Sequence, residues 1–262
     1  MDVTFRDPRN TITGRMVAVD GPVSEAIRYQ AKDLPPIAVF LRGMIDSGSM
    51  RSITVKTTAQ DFHRQVNDRA VTPVISEVKI KDGKLLLTGT ALLASNGRYK
   101  ASLGYQESVL LQMLRGVANP GVSLTYAVPG VEKRGPFAMD RASFSVGTYK
   151  TKIKTSYENG RFRFDIRVKS IVNLTENLFE FDLMQDHKEL GDKLGEQMKL
   201  QIEKMLKKIQ KHKIDPVGFG LYARAFEYSR FKAVQDEWEE EISRAEFNVS
   251  VQLRVGAMGQ VK

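Results

Sequence analysis

The sequence predicts an α+β fold in two domains, each a mostly antiparallel sheet packed with helices. Three observations carry this. Between Asp186 and Lys213, Leu190, Leu194, Met198, Ile202, Met205, Leu206 and Ile209 recur at spacings of three and four, which predicts one long helix with an apolar stripe. Asp82-Gly83, Asn96-Gly97 and Asn159-Gly160 each separate two strand-like runs, the signal of a hairpin. From Arg161 to Lys169, Phe162, Phe164, Ile166 and Val168 alternate with Arg161, Arg163, Asp165, Arg167 and Lys169, which predicts a half-buried strand. A helix as long as 186–213 is stabilised mainly by burying its stripe, so an apolar sheet face must lie against it. Lys193, Glu196, Lys199, Glu203, Lys207 and Lys208 are assigned to water. Asp186 with Glu189 reads as a capping box, and Gly191 and Gly195 beside the stripe would admit another backbone.

The first domain spans 1–130. Gly14 to Asp20 reads as a strand and Pro22 to Gln30 as a short helix with Ala26 and Ile27 inward. Pro35-Pro36 breaks the chain ahead of a helix over Ile37 to Met44. Ser52 to Thr57 alternates and reads as a strand, and Thr58 then caps a helix to about Asp68 with Phe62 and Val66 buried. Two hairpins join Val74–Val78, Leu85–Leu87, Thr90–Leu93 and Tyr99–Leu103. A helix from Gln106 to Leu114 is stopped by Gly116, and Gly121 to Val128 is one more strand. Pro129 to Pro136 reads as a linker, which sets the second domain at 137–262. That domain reads ββ-α-α-β. Strands at 137–157 and 161–169 precede the long helix, and Asp215-Pro216 reads as an N-cap with proline at the first helical position. Tyr222, Phe226, Tyr228 and Phe231 form an aromatic stripe, Trp238 lies on a third helical piece, and 248–255 closes an antiparallel sheet.

Forty Lys and Arg against 31 Asp and Glu give +9, split as +5 over residues 1–130 and +4 over the remainder. The excess is dispersed, which suits either an anionic surface such as phospholipid or nucleic acid, or simple solubility. There is no cysteine, and hence no disulfide, thiolate chemistry or cysteine metal site. No run reaches the ~18 apolar residues of a membrane span, and the N-terminus lacks the pattern of a signal peptide.

Catalytic and cofactor motifs are absent. His63, His187 and His212 stand far apart without metal-ligand spacing. Gly218-Phe-Gly220-Leu-Tyr-Ala223 fits a loose dinucleotide pattern but follows a helix where a strand is required, so Gly218 and Gly220 are assigned to close helix packing. Asp236, Glu237, Glu239, Glu240 and Glu241 around Trp238 read as a solvated acidic face. Phe162 and Phe164, interleaved with basic residues, could stack on RNA bases, but they share the face the helix must cover. Asn173-Leu-Thr175 and Asn248-Val-Ser250 fit the glycosylation sequon, which is short enough to arise by chance. The residues singled out are therefore structural or interfacial: Glu107, Asp215, Gly218, Gly220 and Trp238. Glu107 is the polar residue best placed for a specific role, and helix N-terminal charge is the simpler account. Trp238 is assigned to anchoring the terminal helices.

Asp215-Pro-Val-Gly-Phe-Gly220, Asp236-Glu-Trp238 and the strand Val249 to Arg254 resemble the end of the C subunits of spore germinant receptors, the Ger(x)C lipoprotein family. Leu87-Thr-Gly-Thr-Ala-Leu-Leu93, Leu103-Gly-Tyr-Gln-Glu107 and Arg6-Asp-Pro8 are similar to upstream stretches of that family, with Leu93 where phenylalanine is usual. The resemblance implies a non-enzymatic lipoprotein without cofactor or metal. It would be held by a lipidated cysteine at the outer face of the spore inner membrane, and would work with the membrane-embedded A and B subunits in nutrient sensing. Nucleic acid is not expected as a partner. The sequence has no lipobox cysteine, so the expectation is an ectodomain fragment with its anchor removed. The alternative is a basic cytosolic nucleic-acid-binding α+β protein, motivated by the charge and by Arg161, Arg163, Arg167 and Lys169 on one strand face.

Overall fold

The computed structural model describes residues 14–29, 35–130, 140–177 and 183–256. Arg6-Asp-Pro8, the strand residues 137–139, the Asp186 side chain and most of the linker stretch lie outside them. The first sheet has the order β1-β2-β3-β4, with β1 Val17–Asp20, β2 Val74–Lys81, β3 Lys84–Leu93 and β4 Tyr99–Leu103. Strand β1 runs parallel to β2, and the other pairs are antiparallel. Helices α1 (Val23–Arg28), α2 (Ile37–Met50) and α3 (Ala59–Asn67) precede β2, and α4 (Tyr105–Leu114) follows β4. The second sheet has the order β5-β6-β7-β8, with β5 Val122–Ala127, β6 Arg141–Glu158, β7 Arg161–Asn177 and β8 Glu246–Val255. Between β7 and β8 lie α5 (Leu183–His212), α6 (Phe219–Phe226), α7 (Tyr228–Val234), a short 3₁₀ turn at Gln235–Glu237, and α8 (Trp238–Arg244). The architecture is α+β. Strand β5 already pairs with β6, so sheet membership changes between β4 and β5, ahead of the Pro129–Pro136 stretch.

The stripe of α5 is buried as its spacing predicts: Leu190, Leu194, Met198, Met205 and Ile209 have no exposed surface, and they share one core with Phe162, Phe164, Ile166 and Val168. That core continues through α4 to Val74, Leu92 and Leu103 of the first sheet. Gly191 faces β8 so closely that a Cβ there would lie 2.9 Å from the Leu253 carbonyl oxygen. The helix ends in a Schellman turn, with Lys213 at φ 53, Ile214 N–H donating to Ile209 O and Lys213 N–H to Gln210 O.

Several expectations change. Strand β8 pairs parallel to β7, not antiparallel, because α6 to α8 return the chain to the end of β7 where that strand begins, and Arg163 lies opposite Glu246. Residues 52–57 form no strand. Their carbonyls are met by side chains: Gln112 Nε2 donates to Ser52 O and Thr54 O at 2.7 and 2.8 Å, and Ser76 Oγ donates to Val55 O at 2.6 Å. In α1 Ala26 is buried while Ile27 is exposed. In α3 the buried residue is Gln65, whose Oε1 accepts from Val74 N–H at 3.0 Å, and Phe62 and Val66 are half-buried. The aromatic stripe of 222–231 breaks at Glu227 between two short helices. Phe231 is buried, Tyr222 half-buried, and Phe226 and Tyr228 exposed. Lys208 is half-buried and ion-paired rather than free in water.

Candidate functional site

Four of the five singled-out residues converge. After the Schellman turn the chain passes Ile214 and places Asp215 in the interior with no exposed surface. Its backbone makes a reciprocal pair with Thr72, 143 residues away: Asp215 N–H donates to Thr72 Oγ1 and Thr72 N–H to Asp215 O, both at 2.9 Å. Gly218 then takes φ 90, a left-handed conformation that favours glycine. This turn points three successive amides at one carboxylate. Gly218 and Phe219 N–H donate to Asp215 Oδ1 at 2.8 and 3.0 Å, and Gly220 N–H donates to Oδ2 at 2.8 Å. Trp238 Nε1 donates to Oδ2 at 3.0 Å. Asp215 thus caps α6 from outside the helix. Pro216 is not its first residue, because α6 begins at Phe219.

Burial pushes the Asp215 carboxyl up, and the four N–H donors pull it back down. The start of α6 adds favourable dipole potential for a negative charge. The knot is closed by two close approaches. A Cβ on Gly220 would lie 2.6 Å from Ala70 O and 2.8 Å from Trp238 Nε1, so only glycine admits residue 70 and the indole together. Trp238 is itself buried, with its ring 5.2 Å from both Phe162 and Phe231 in edge-on geometry. The tryptophan therefore connects the carboxylate to the second sheet, while the backbone pair of Asp215 with Thr72 and the packing of Gly220 on Ala70 connect the turn to the segment that enters β2.

Ion pairs rim the knot. Arg224 grips Asp68 with two contacts of 3.0 and 3.3 Å, and Arg69 pairs with Asp236. Within the acidic run, Glu239 Oε1 accepts from Ser95 N–H at 2.8 Å, Lys213 pairs with Glu240 at 2.6 Å, and Arg244 with Glu241 at 2.6 Å. These acids are occupied one by one and form no paired acid–base unit. Glu107 stands apart from the knot. Its Oε2 accepts from Gly104 N–H at 3.1 Å at the start of α4, and its Oε1 pairs with Lys208 of α5 at 2.6 Å. Lys208 also donates to Ser102 O at 3.2 Å, so one lysine ties β4, α4 and α5.

Thr72 and Gln112 were not legible as site residues. Thr72 gives no local signal, and Gln112 interrupts an apolar helix face, which is the one hint that it serves buried partners. Among the described residues no group of three or more metal-ligating side chains is arranged to hold an ion, and no helix is long and apolar enough to cross a membrane.

Comparison with known proteins gives this geometry a family. The family described as "Spore germination B3/GerAC like, C-terminal" matches residues 88–259, and "Spore germination protein N-terminal domain" matches residues 1–80. The two matches meet near the Asp82-Gly83 hairpin. Spore germination protein B3 of Bacillus subtilis (strain 168) is 25% identical over 207 residues, covering 72% of this chain and 49% of the relative. Spore germination protein YndF of the same organism is 20% identical, covering 100% of this chain and 64% of the relative. The chain thus spans about half of the first relative's length and under two thirds of the second's. The crystal structure of the GerBC protein has the same fold, with a TM-score of 0.71 at 19% identity, covering 92% of this chain and 68% of that one. The C-terminal match alone covers well over half of the chain and includes Asp215, Gly218, Gly220 and Trp238, so the protein belongs to the spore germination B3/GerAC-like family.

Proposed function

We propose that this chain is the ectodomain of a germinant receptor C subunit: a non-enzymatic lipoprotein at the outer face of the spore inner membrane, acting with membrane-embedded A and B subunits. The observation that carries the reading is how the family-like residues are used. Asp215, Gly218, Gly220 and Trp238 are all spent on one hydrogen-bonded joint inside the protein. No nucleophile, general base or metal-ligating group is left over in that joint, which supports an assembly role over a catalytic one. The chain has no cysteine, so on this reading the lipid anchor belongs to a segment outside these 262 residues.

The test is genetic and biochemical. Spores lacking the gene are expected to lose their response to at least one nutrient, and the full-length protein is expected to co-purify with two membrane proteins from detergent-solubilised spore membranes. An unchanged response across a nutrient panel, together with a soluble full-length protein, contradicts the proposal.

A further inference from the structure

The second sheet leaves one face to solvent, and its charge is unbalanced. Outward residues of β6, β7 and β8 include Lys150, Lys152, Lys154, Arg167, Lys169 and Arg254, all exposed. The register sets Lys150 directly opposite Lys169 and Lys152 directly opposite Arg167. Like charges in directly opposed positions destabilise a sheet, and two such pairs in succession oppose folding without any internal compensation. The same face shows how compensation looks. Towards the hairpin end, Arg163 lies among Asp165, Glu158 and Glu246 at 3.3, 3.7 and 3.9 Å. By contrast, among the described residues no carboxylate forms an ion pair with Lys150, Lys152, Arg167, Lys169 or Arg254. A shallow cleft of about 430 Å³ opens among Thr148, Lys150, Lys169, Ile171, Gln252 and Arg254, beside the irregularity in β6 between Val146 and Tyr149.

We propose that this outer face docks on an anionic phospholipid surface, with the cleft between Lys150, Lys169 and Arg254 receiving a lipid phosphate. Shape and chemistry favour lipid over nucleic acid. The cations lie on three neighbouring strands, a patch roughly 10 Å across and 13 Å along β6, presented as a plane and not as a ridge that enters a groove. The nearby aromatic side chains Phe162 and Phe164 are fully buried on the opposite face and offer bases nothing to stack on. Ile171, 45% exposed, lies opposite Arg254 and supplies an apolar contact at headgroup level. Lysines on flexible stems suit mobile headgroups, each worth about one factor of five in partitioning near an anionic surface. The inference does not depend on receptor assembly, because the isolated chain carries the whole surface.

Vesicle co-sedimentation of the 262-residue chain tests it. Expected are binding to phosphatidylcholine–phosphatidylglycerol vesicles at low salt, release as salt shortens the screening length to about 8 Å and below, and no binding to phosphatidylcholine alone. The triple variant K150E/K169E/R254E removes three cations and adds three anions, and is expected to lower partitioning at least about a hundredfold. The control K81E/K84E/K100E, with the same change of net charge in the first sheet, is expected to keep most of it. Circular dichroism melting verifies that both variants are folded. Equal loss in the control overturns the proposal in favour of net charge alone. Absence of vesicle binding at low salt overturns it outright, as does tighter binding to duplex DNA than to vesicles at the same salt.

Discussion

In β2 five consecutive residues, Val74 to Val78, are buried, whereas in β7 burial alternates residue by residue from Arg161 to Leu174. The difference follows from what covers each sheet. On the first sheet, Val74 and Leu92 face the core beneath α4, while Ile75, Ala91 and Leu93 face Phe62 of α3 on the other side. On the second, α5 and Trp238 cover one face and nothing among the described residues covers the other. A sheet enclosed on both faces admits a charged group only where side chains hydrogen-bond it, as Ser102 and Thr88 do for the buried Glu77 carboxylate, and a sheet covered on one face carries charge freely. The lesson is that a strand's burial period reports on its neighbours as much as on the strand itself. The Asp215 knot is where the two environments are fastened together.

The largest expected effect is at that fastening. Trp238→Ala should reduce stability by about 3–5 kcal/mol, since it removes a large buried ring and a donor to a buried carboxylate. Trp238→Phe keeps most of the ring packing and should reduce it by about 2 kcal/mol. Urea denaturation separates the two: both variants lose the indole hydrogen bond and only alanine loses the ring, so a neutral Trp238→Phe would mean that the hydrogen bond contributes nothing. Next in size is the parity test of the comparison. Ile75→Ala and Leu92→Ala, on opposite faces of the first sheet, should each destabilise by about 3 kcal/mol. On β7, Ile166→Ala should do the same, while Arg167→Ala should stay within about 0.5 kcal/mol or stabilise slightly. If Ile75→Ala were neutral, the first sheet would be one-sided after all. Gly220→Ala comes third: alanine is the better helix former by about 1 kcal/mol, but the clash with Ala70 should outweigh it and leave a net loss of about 2 kcal/mol.

The smallest effect concerns acid. The Arg15 hydrogen bond holds the Asp46 carboxyl below its usual 3.8, and Asn248 does the same for Asp165. A depressed carboxylate stabilises the fold above the unfolded value, and that contribution is lost as pH falls through the lower, folded value. Stability should therefore decline below about pH 4, and Asp46→Asn should make the acid limb shallower; an unchanged slope in pH-dependent melting would remove this ion pair from the account.

Much of the second sheet was legible because one face is exposed: alternation in 161–169 and the α5 stripe are direct records of half-burial. Both Asx-Gly turns at 82–83 and 159–160 were legible because their left-handed backbone demands those residue types; Asp82 and Asn159 have φ 50 and 51. Alternation misled at 52–57, where side-chain hydrogen bonds replace a ladder. The parallel direction of β8 left no trace, because alternation is the same whichever way a strand runs. Of the knot, Asp215, Gly218, Gly220 and Trp238 could be named from the chain. Their convergence could not, since it depends on Ala70 and Thr72, which are distant in sequence and locally unremarkable.

The central claim is that the buried Asp215 carboxylate holds the turn into α6 and Trp238 together, and so keeps the C-terminal helices seated on residues 70–72 through the Asp215 backbone and Gly220. Amide hydrogen exchange on Asp215→Ala, alongside denaturation, tests it most directly. The expected result is a loss of about 4 kcal/mol, with protection falling at Gly218, Phe219 and Gly220, the amides that donate to the carboxylate, well beyond the loss along the centre of β6. Unchanged stability with those three amides still protected would contradict it.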